Sequence, residues 1–155
     1  MSKSAEEILK KMRSFFSAKE PVDPGGKSIL IVGGEIKERT FMNRVFKKRD
    51  YRVFNTEDEN EGLQIARKDK PGLIVLSSHR LEPRIFDLSI KIKKDNATSR
   101  IPILAIADAQ GSSNIVEYVQ NTDAYIFKPV NEKELIRQVE TLLIKRFPRS
   151  VVAGW

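Results

Sequence analysis

A chain of 155 residues with 40% hydrophobic and 32% charged content has the length and composition of one globular domain with short appendages. Its 28 lysines and arginines exceed its 21 aspartates and glutamates, for a formal charge of +7, and it has no cysteine. That composition excludes disulfides, thiolate metal sites and cysteine nucleophiles, and no apolar run approaches the roughly 20 residues of a membrane span.

Residues 4–17 read as a helix. Ser4 and Glu7 have capping-box spacing, in which the hydroxyl accepts from an early backbone N–H and the glutamate reaches back. Ile8, Leu9, Met12, Phe15 and Phe16 recur at helical spacing on one face, with Lys10, Lys11 and Arg13 on the other. Charged and apolar residues are interspersed here, unlike the continuous apolar segment of a secretory signal, so a cytoplasmic protein is expected. SAKEPVDPGGK, with two prolines and a Gly-Gly pair, reads as a linker. The expected organisation is an N-terminal amphipathic helix in 1–19, a linker at 20–26, a main domain over 27–147 and a tail at 148–155.

From Lys27 onward strand and helix patterns alternate. SILIV, YRVF, GLIVL, ILAIA and AYIF are short apolar runs, several of them continuous, as in strands buried on both faces of a parallel sheet. Between and after them, helices are expected at 36–49, 58–69, 84–94, 112–120 and 132–146. Their inward stripes are Phe41, Val45 and Phe46, then Leu63 and Ala66, then a less regular Leu88, Ile90 and Ile92. Ile115, Val116 and Val119 mark the fourth, and Leu135, Val139, Leu142 and Leu143 the last, which opens on a second capping pair, Asn131 and Glu134. Five strands alternating with five helices in right-handed crossovers give an open, doubly wound α/β domain. In such a sheet, ligands sit beyond the C-terminal strand ends, where the strand order reverses. Those ends are Gly33-Gly34-Glu35, Ser77-Ser78-His79 and Lys128-Pro129.

Over residues 27–146 the chain resembles the response-regulator receiver family. ILIVGGE resembles its first strand, DYRVFNTEDENEGLQIA its second strand and helix, with Asp50 where a glycine is usual, and PGLIVLS its third strand. RIPILAIAD resembles the fourth strand, and TDAYIFKPVNEKEL the fifth strand with the start of the last helix. The resemblance implies a flavodoxin-like fold with strand order 2-1-3-4-5. It also implies roles by position: Ser77 at the phosphoacceptor, Ala107 at the switch hydroxyl, Tyr125 at the switch aromatic and Lys128 at the lysine that contacts the phosphoryl group.

The departures from the family decide the expected function. Gly33 and Gly34 stand where an acidic pair would help bind magnesium, which needs oxygen ligands, and Glu35 alone substitutes poorly. Ser77 stands where an aspartate would form an acyl phosphate, chemistry that requires a carboxylate nucleophile. Ala107 lacks the reporting hydroxyl. A degenerate receiver, or pseudo-receiver, is expected, with no metal, no cofactor and no catalytic residue. Lys128 has two readings. It binds an anion in the vacated pocket, or it is structural, its ammonium resting on Glu35, on Ser77 or Ser78, or on backbone carbonyls, with a Lys128–Pro129 bond that is usually cis in the family. Gly33-Gly34 is either a small phosphate-accepting nest or a permissive turn. His79, the sole histidine, makes a weak metal site, and Ser77, His79 and Asp87 do not amount to a triad.

Basic residues gather at helix ends: Lys47, Lys48 and Arg49; Arg67, Lys68 and Lys70; Lys91, Lys93 and Lys94; Lys145 and Arg146. They complement helix dipoles, or they form a docking face for an acidic partner or nucleic acid. No recognition-helix module or stacking platform supports specific nucleic-acid binding. Partner contact is expected instead through Ile8, Leu9, Met12, Phe15 and Phe16, and through a face near Ile115, Tyr118, Tyr125 and Glu134. The N-terminal helix could dock on its own domain, a second copy or another protein, and the tail with Phe147, Val151, Val152 and Trp155 has the same choice. The expected function is a non-catalytic, phosphorylation-independent interaction module of bacterial signalling or motility control, without an appended output domain. Its partner would be another signalling or motility protein, with homodimerisation open. The alternative is a sensor that binds a phosphate-bearing small molecule near Lys128 and Gly33-Gly34.

Overall fold

The computed structural model describes residues 27–78, 83–108 and 119–146. In chain order these form β1 (Ser28–Gly33), α1 (Ile36–Lys48), β2 (Arg52–Thr56), α2 (Glu59–Asp69) and β3 (Leu73–Ser77). A short 3-10 helix (Pro83–Asp87) leads into α3 (Leu88–Lys94), followed by β4 (Ile103–Ala107), β5 (Ala124–Phe127) and α4 (Glu132–Arg146). The strands make one five-stranded sheet in the order β2-β1-β3-β4-β5, and every neighbouring pair is parallel. This is the flavodoxin-like arrangement, with its reversal of strand order between β1 and β3.

Alternation along the central strands divides the core into two layers. Leu30, Val32, Ile74, Leu76 and Ala105 face Ala66 of α2 and Leu88 and Ile92 of α3. Ile29, Ile31, Val75, Leu104 and Ile106 face Met42, Val45 and Phe46 of α1 and Leu135, Val139 and Leu142 of α4. Successive side chains of a strand point to opposite faces, so a run such as ILIV is buried on both sides only when helices cover both. Complete burial of one such side chain contributes about 1.5–3 kcal/mol.

Local chemistry sets the element ends. Asp58 caps α2 by accepting from the Asn60 amide at 3.0 Å, and Asn131 accepts from the Glu134 amide at 2.8 Å. Glu134 does not reach back to complete a capping box but pairs with Arg137 and Gln138. Asp50, in the turn from α1 to β2, has φ +66°, a left-handed conformation that aspartate tolerates better than most residues.

The expected helices at 36–49, 58–69 and 132–146 correspond to α1, α2 and α4. Two expectations change. The stretch at 84–94 is not a single helix: it begins as the 3-10 segment, and only Leu88–Lys94 is α-helical. Ile90, expected to face inward, is 38% exposed, because a short α-helix that buries Leu88, Ser89 and Ile92 turns it away. Among the described residues there are four α-helices rather than five. The one expected at 112–120 lies outside them except for its end, where Val119 is buried. The N-terminal helix with Ile8, Leu9, Met12, Phe15 and Phe16, the linker, and the tail also lie outside the described residues. No helix of the described part is long and apolar enough to cross a membrane.

Candidate functional site

The sheet register brings the three strand ends together. Gly33 lies opposite Ser77, Ser77 pairs with Ile106, and Ala107 pairs with Phe127, one residue before Lys128. The backbone continues the pairing: the Ser78 amide donates to Ile106 O at 3.0 Å and the Lys128 amide to Ala107 O at 2.8 Å. Gly33, Gly34, Ser77, Ala107 and Lys128 therefore share one corner of the domain. Ser77 and Ala107 are fully buried.

Gly33-Gly34 is a turn shaped by close packing. Both residues have positive φ, +85° and +81°, where a side chain is strained. A Cβ on Gly33 would lie 2.5 Å from the Ser77 carbonyl oxygen. One on Gly34 would lie 2.9 Å from Ser77 Oγ and 3.0 Å from Glu38 Oε1. The two carbonyls of the turn accept from Arg39 Nη1, at 3.3 Å and 2.7 Å. Arg39 also pairs with Glu57 at 2.8 Å, which ties this turn to the one after β2. An acceptor of anions needs free N–H groups directed inward. The carbonyls of this glycine pair are clamped by a guanidinium.

Lys128 is engaged from two sides. Its Nζ donates to Ser78 O at 2.6 Å and pairs with Glu38 Oε2 at 3.0 Å. The other carboxylate oxygen of Glu38 accepts from Ser77 Oγ. The two side chains of the ion pair are only 17% and 16% exposed. Glu38 thus spans the space between Ser77 and Lys128. Glu35, offered above as a counter-ion, is exposed; it immediately precedes α1 and forms no side-chain cap. Of the alternatives stated for Lys128, the backbone carbonyl of Ser78 is used. The Lys128–Pro129 bond is cis.

Glu38 and Arg39 were both missed from sequence. An acidic residue in the first turn of a helix reads as a partner of the helix dipole, and Arg39 reads as a solvated charge. The available signal was spacing: one helical turn beyond Gly34 brings Glu38 back over the end of β1.

Beside this corner lies an open cleft of about 520 Å³, floored by Gly33, Ser77 and Ile85 and rimmed by charges of both signs, including Glu57, Glu59, Arg84 and Lys91. Asp87 also borders the cleft, while His79 lies outside the described residues. The residues present do not fit a magnesium site. Glycines supply no side-chain oxygen, both oxygens of Glu38 are engaged, and Glu57 is bound to Arg39. Among the described residues no three histidine, cysteine or acidic side chains gather as ligands would.

On β5, Tyr125 is 46% and Phe127 37% exposed. Their rings pack at 5.3 Å between centroids on β5, the edge strand, on the sheet face that carries Ala105 and Ala107. Ile115 and Tyr118, expected on the same face, lie outside the described residues. Several basic helix ends are internally paired: Lys48 and Arg49 with Glu132 at 3.0 and 3.5 Å, Arg67 with Asp95, and Lys93 with Asp123 at 2.8 Å. Each of these pairs ties one element to another, so these cations have structural partners.

No family model matches the chain. Histidine kinase P4 of Formosa agariphila is 30% identical over 120 residues, which are 77% of this chain but 9% of the kinase. Protein PilH of Pseudomonas aeruginosa is 25% identical over 116 residues, 74% of this chain and 96% of PilH. The chain therefore spans nearly the whole of one relative and under a tenth of the other. Among solved structures, the receiver domain of the sensor histidine kinase PA1611 of Pseudomonas aeruginosa has magnesium coordinated in its active-site cleft. It superposes with a TM-score of 0.66 at 20% identity, covering 76% of this chain and 98% of that domain. The sheet order and this likeness define a flavodoxin-like fold. The relatives and structural neighbours together support a response-regulator receiver domain.

Proposed function

We propose that this chain is a pseudo-receiver: a non-catalytic module that contacts another signalling or motility protein in one standing conformation, without being phosphorylated. The observation that carries the reading is the state of the phosphoacceptor position. Ser77 is fully buried, and its hydroxyl donates to Glu38. An acyl phosphate forms on a carboxylate, and a serine hydroxyl needs an activating base or metal to act as a nucleophile. A glutamate that also neutralises a lysine is a poor proton acceptor, and the donor set nearby does not suit magnesium. The Tyr125–Phe127 pair is the surface we assign to partner contact, since exposed aromatic side chains supply much of the energy of protein interfaces.

The alternative, a sensor of phosphate-bearing ligands, is disfavoured because the positive charge it would use already faces Glu38. The test is to incubate the purified chain with acetyl phosphate and magnesium and follow its intact mass. No phosphoryl adduct is expected. A stable adduct on any residue would sink the reading.

A further inference from the structure

We infer that Glu38 is a built-in counter-ion that occupies the anion seat of Lys128 and closes the pocket to external anions. The inference rests on the pseudo-receiver reading and specifies how its pocket is held. Three independent features point to it. The Lys128 side chain is largely buried, and Glu38 is the carboxylate paired with its ammonium, at 3.0 Å. A cation removed from water requires an opposite charge or several hydrogen-bond acceptors, and here the Ser78 carbonyl at 2.6 Å supplies one acceptor and Glu38 the charge. The second feature is that the same carboxylate accepts from Ser77 Oγ. Both of its oxygens are thereby used, and it is anchored at two points. The third is room. Glu38 Oε1 and Ser77 Oγ both lie within 3.0 Å of where a Gly34 Cβ would be. Glycine at position 34 is therefore what lets the carboxylate lie against Ser77.

The arrangement joins α1 to the ends of β3 and β5 through one side chain. An external phosphate aimed at Lys128 would have to displace a tethered carboxylate, which is present at a high effective concentration and loses little freedom on binding. The pocket is thus set by sequence in its ligated form, and the conformation offered to a partner does not depend on a small anion.

The experiment compares the full chain with Glu38→Ala and with the near-isosteric Glu38→Gln. Acylation of each lysine by acetic anhydride is followed by peptide mass spectrometry, with and without inorganic phosphate. Lys93, paired with Asp123 elsewhere, reports whether a variant still folds. In the wild type Lys128 should label slowly, with or without phosphate. In Glu38→Ala its labelling should rise several-fold while that of Lys93 stays constant, and phosphate should restore protection. Glu38→Gln should show the same phosphate-dependent protection with a smaller rise, since bulk remains but charge is gone. Equal Lys128 labelling in wild type and both variants would overturn the inference, as would phosphate protection in the wild type. If Glu38→Ala also exposes Lys93, Glu38→Gln decides the matter. Such a failure would leave the pseudo-receiver reading intact as long as acetyl phosphate gives no adduct. An adduct would remove that reading whatever Lys128 does.

Discussion

Gly33 and Gly34 stand where a resemblance to receivers would put acidic side chains, and the packing around them leaves little room for any side chain. At Gly34 an added carbon would meet Ser77 Oγ and Glu38 Oε1, which can yield a little, and Ser77 Cβ, which yields less. At Gly33 it would meet the backbone carbonyl of Ser77, which cannot. Both residues also carry a positive φ. Gly34→Ala should therefore lower stability by about 2–4 kcal/mol, from backbone strain and overpacking together. Gly33→Ala should cost more than Gly34→Ala. Urea denaturation of the two variants checks the order, and equal losses would mean that the close approach to the Ser77 carbonyl is relieved elsewhere.

Between elements, charge pairs and capping bonds act as ties whose strength follows pH. Asp95, just after α3, accepts from Arg67 of α2, and this bond, followed by one from the Ala97 amide, holds its carboxyl below the ordinary range. Lys48 of α1, with Arg49 beside it, does the same for Glu132 at the start of α4. A carboxyl depressed in the folded state contributes stability that is fully present above its unfolded value. That contribution is lost as pH falls through the depressed value. Arg67→Ala should return the Asp95 titration, followed by NMR, toward the ordinary carboxylate value and flatten the acid side of the stability profile. Both carboxylates reach the surface, the Asp95 side chain 21% and the Glu132 side chain 38% exposed, so the change is modest and should shrink further in salt. Tyr51, between α1 and β2, behaves in the opposite sense. Burial, and next the nearby Glu140 carboxylate, raise its phenol above the usual value against a smaller opposing effect of Arg49. Its contribution is fully present below the ordinary phenol value and is lost as pH rises through the raised one. Tyr51→Phe should therefore remove part of the alkaline instability, measured as the loss of folded signal on titration with base.

At the scale of the whole molecule, the sheet separates two apolar layers that share a backbone but few side-chain contacts. Ile92 of α3 belongs to one and Leu142 of α4 to the other, and both are 1% exposed. Ile92→Ala and Leu142→Ala should each cost about 2–5 kcal/mol from lost burial and a residual cavity. Combined, they should add to within about 0.5 kcal/mol, because sites on opposite faces of a sheet have no common packing partner. Strong non-additivity in denaturation of the double variant would show that the layers repack together. Pairing of this kind also explains why the fold was largely legible. Continuous apolar runs such as ILIV and LIVL suit only strands covered on both faces, and helical stripes such as Val45-Phe46 and Val139-Leu142 supply the covers. Ile90 was misjudged because a seven-residue helix is too short for its periodicity to distinguish an inward from an outward isoleucine.

The order of apolar runs and helical stripes by itself determined the alternation of elements, the two-faced core and the absence of a carboxylate at Ser77. These are local properties, carried by residue type and by periods of 2.0 and 3.6. What lies at the centre of the corner was decided only by tertiary structure. Glu38 and Lys128 are 90 positions apart (128 − 38), and nothing in the neighbourhood of either announces the other. They meet because parallel register sets Gly33 beside Ser77 and places β5 two strands beyond. Arg39 differs in part: the carbonyls it clamps lie only five and six residues before it, and its pairing with Glu57 is what reaches another element. A charged side chain in a helix's first turn reads as a solvated group until the fold brings to it a buried partner whose desolvation it must offset.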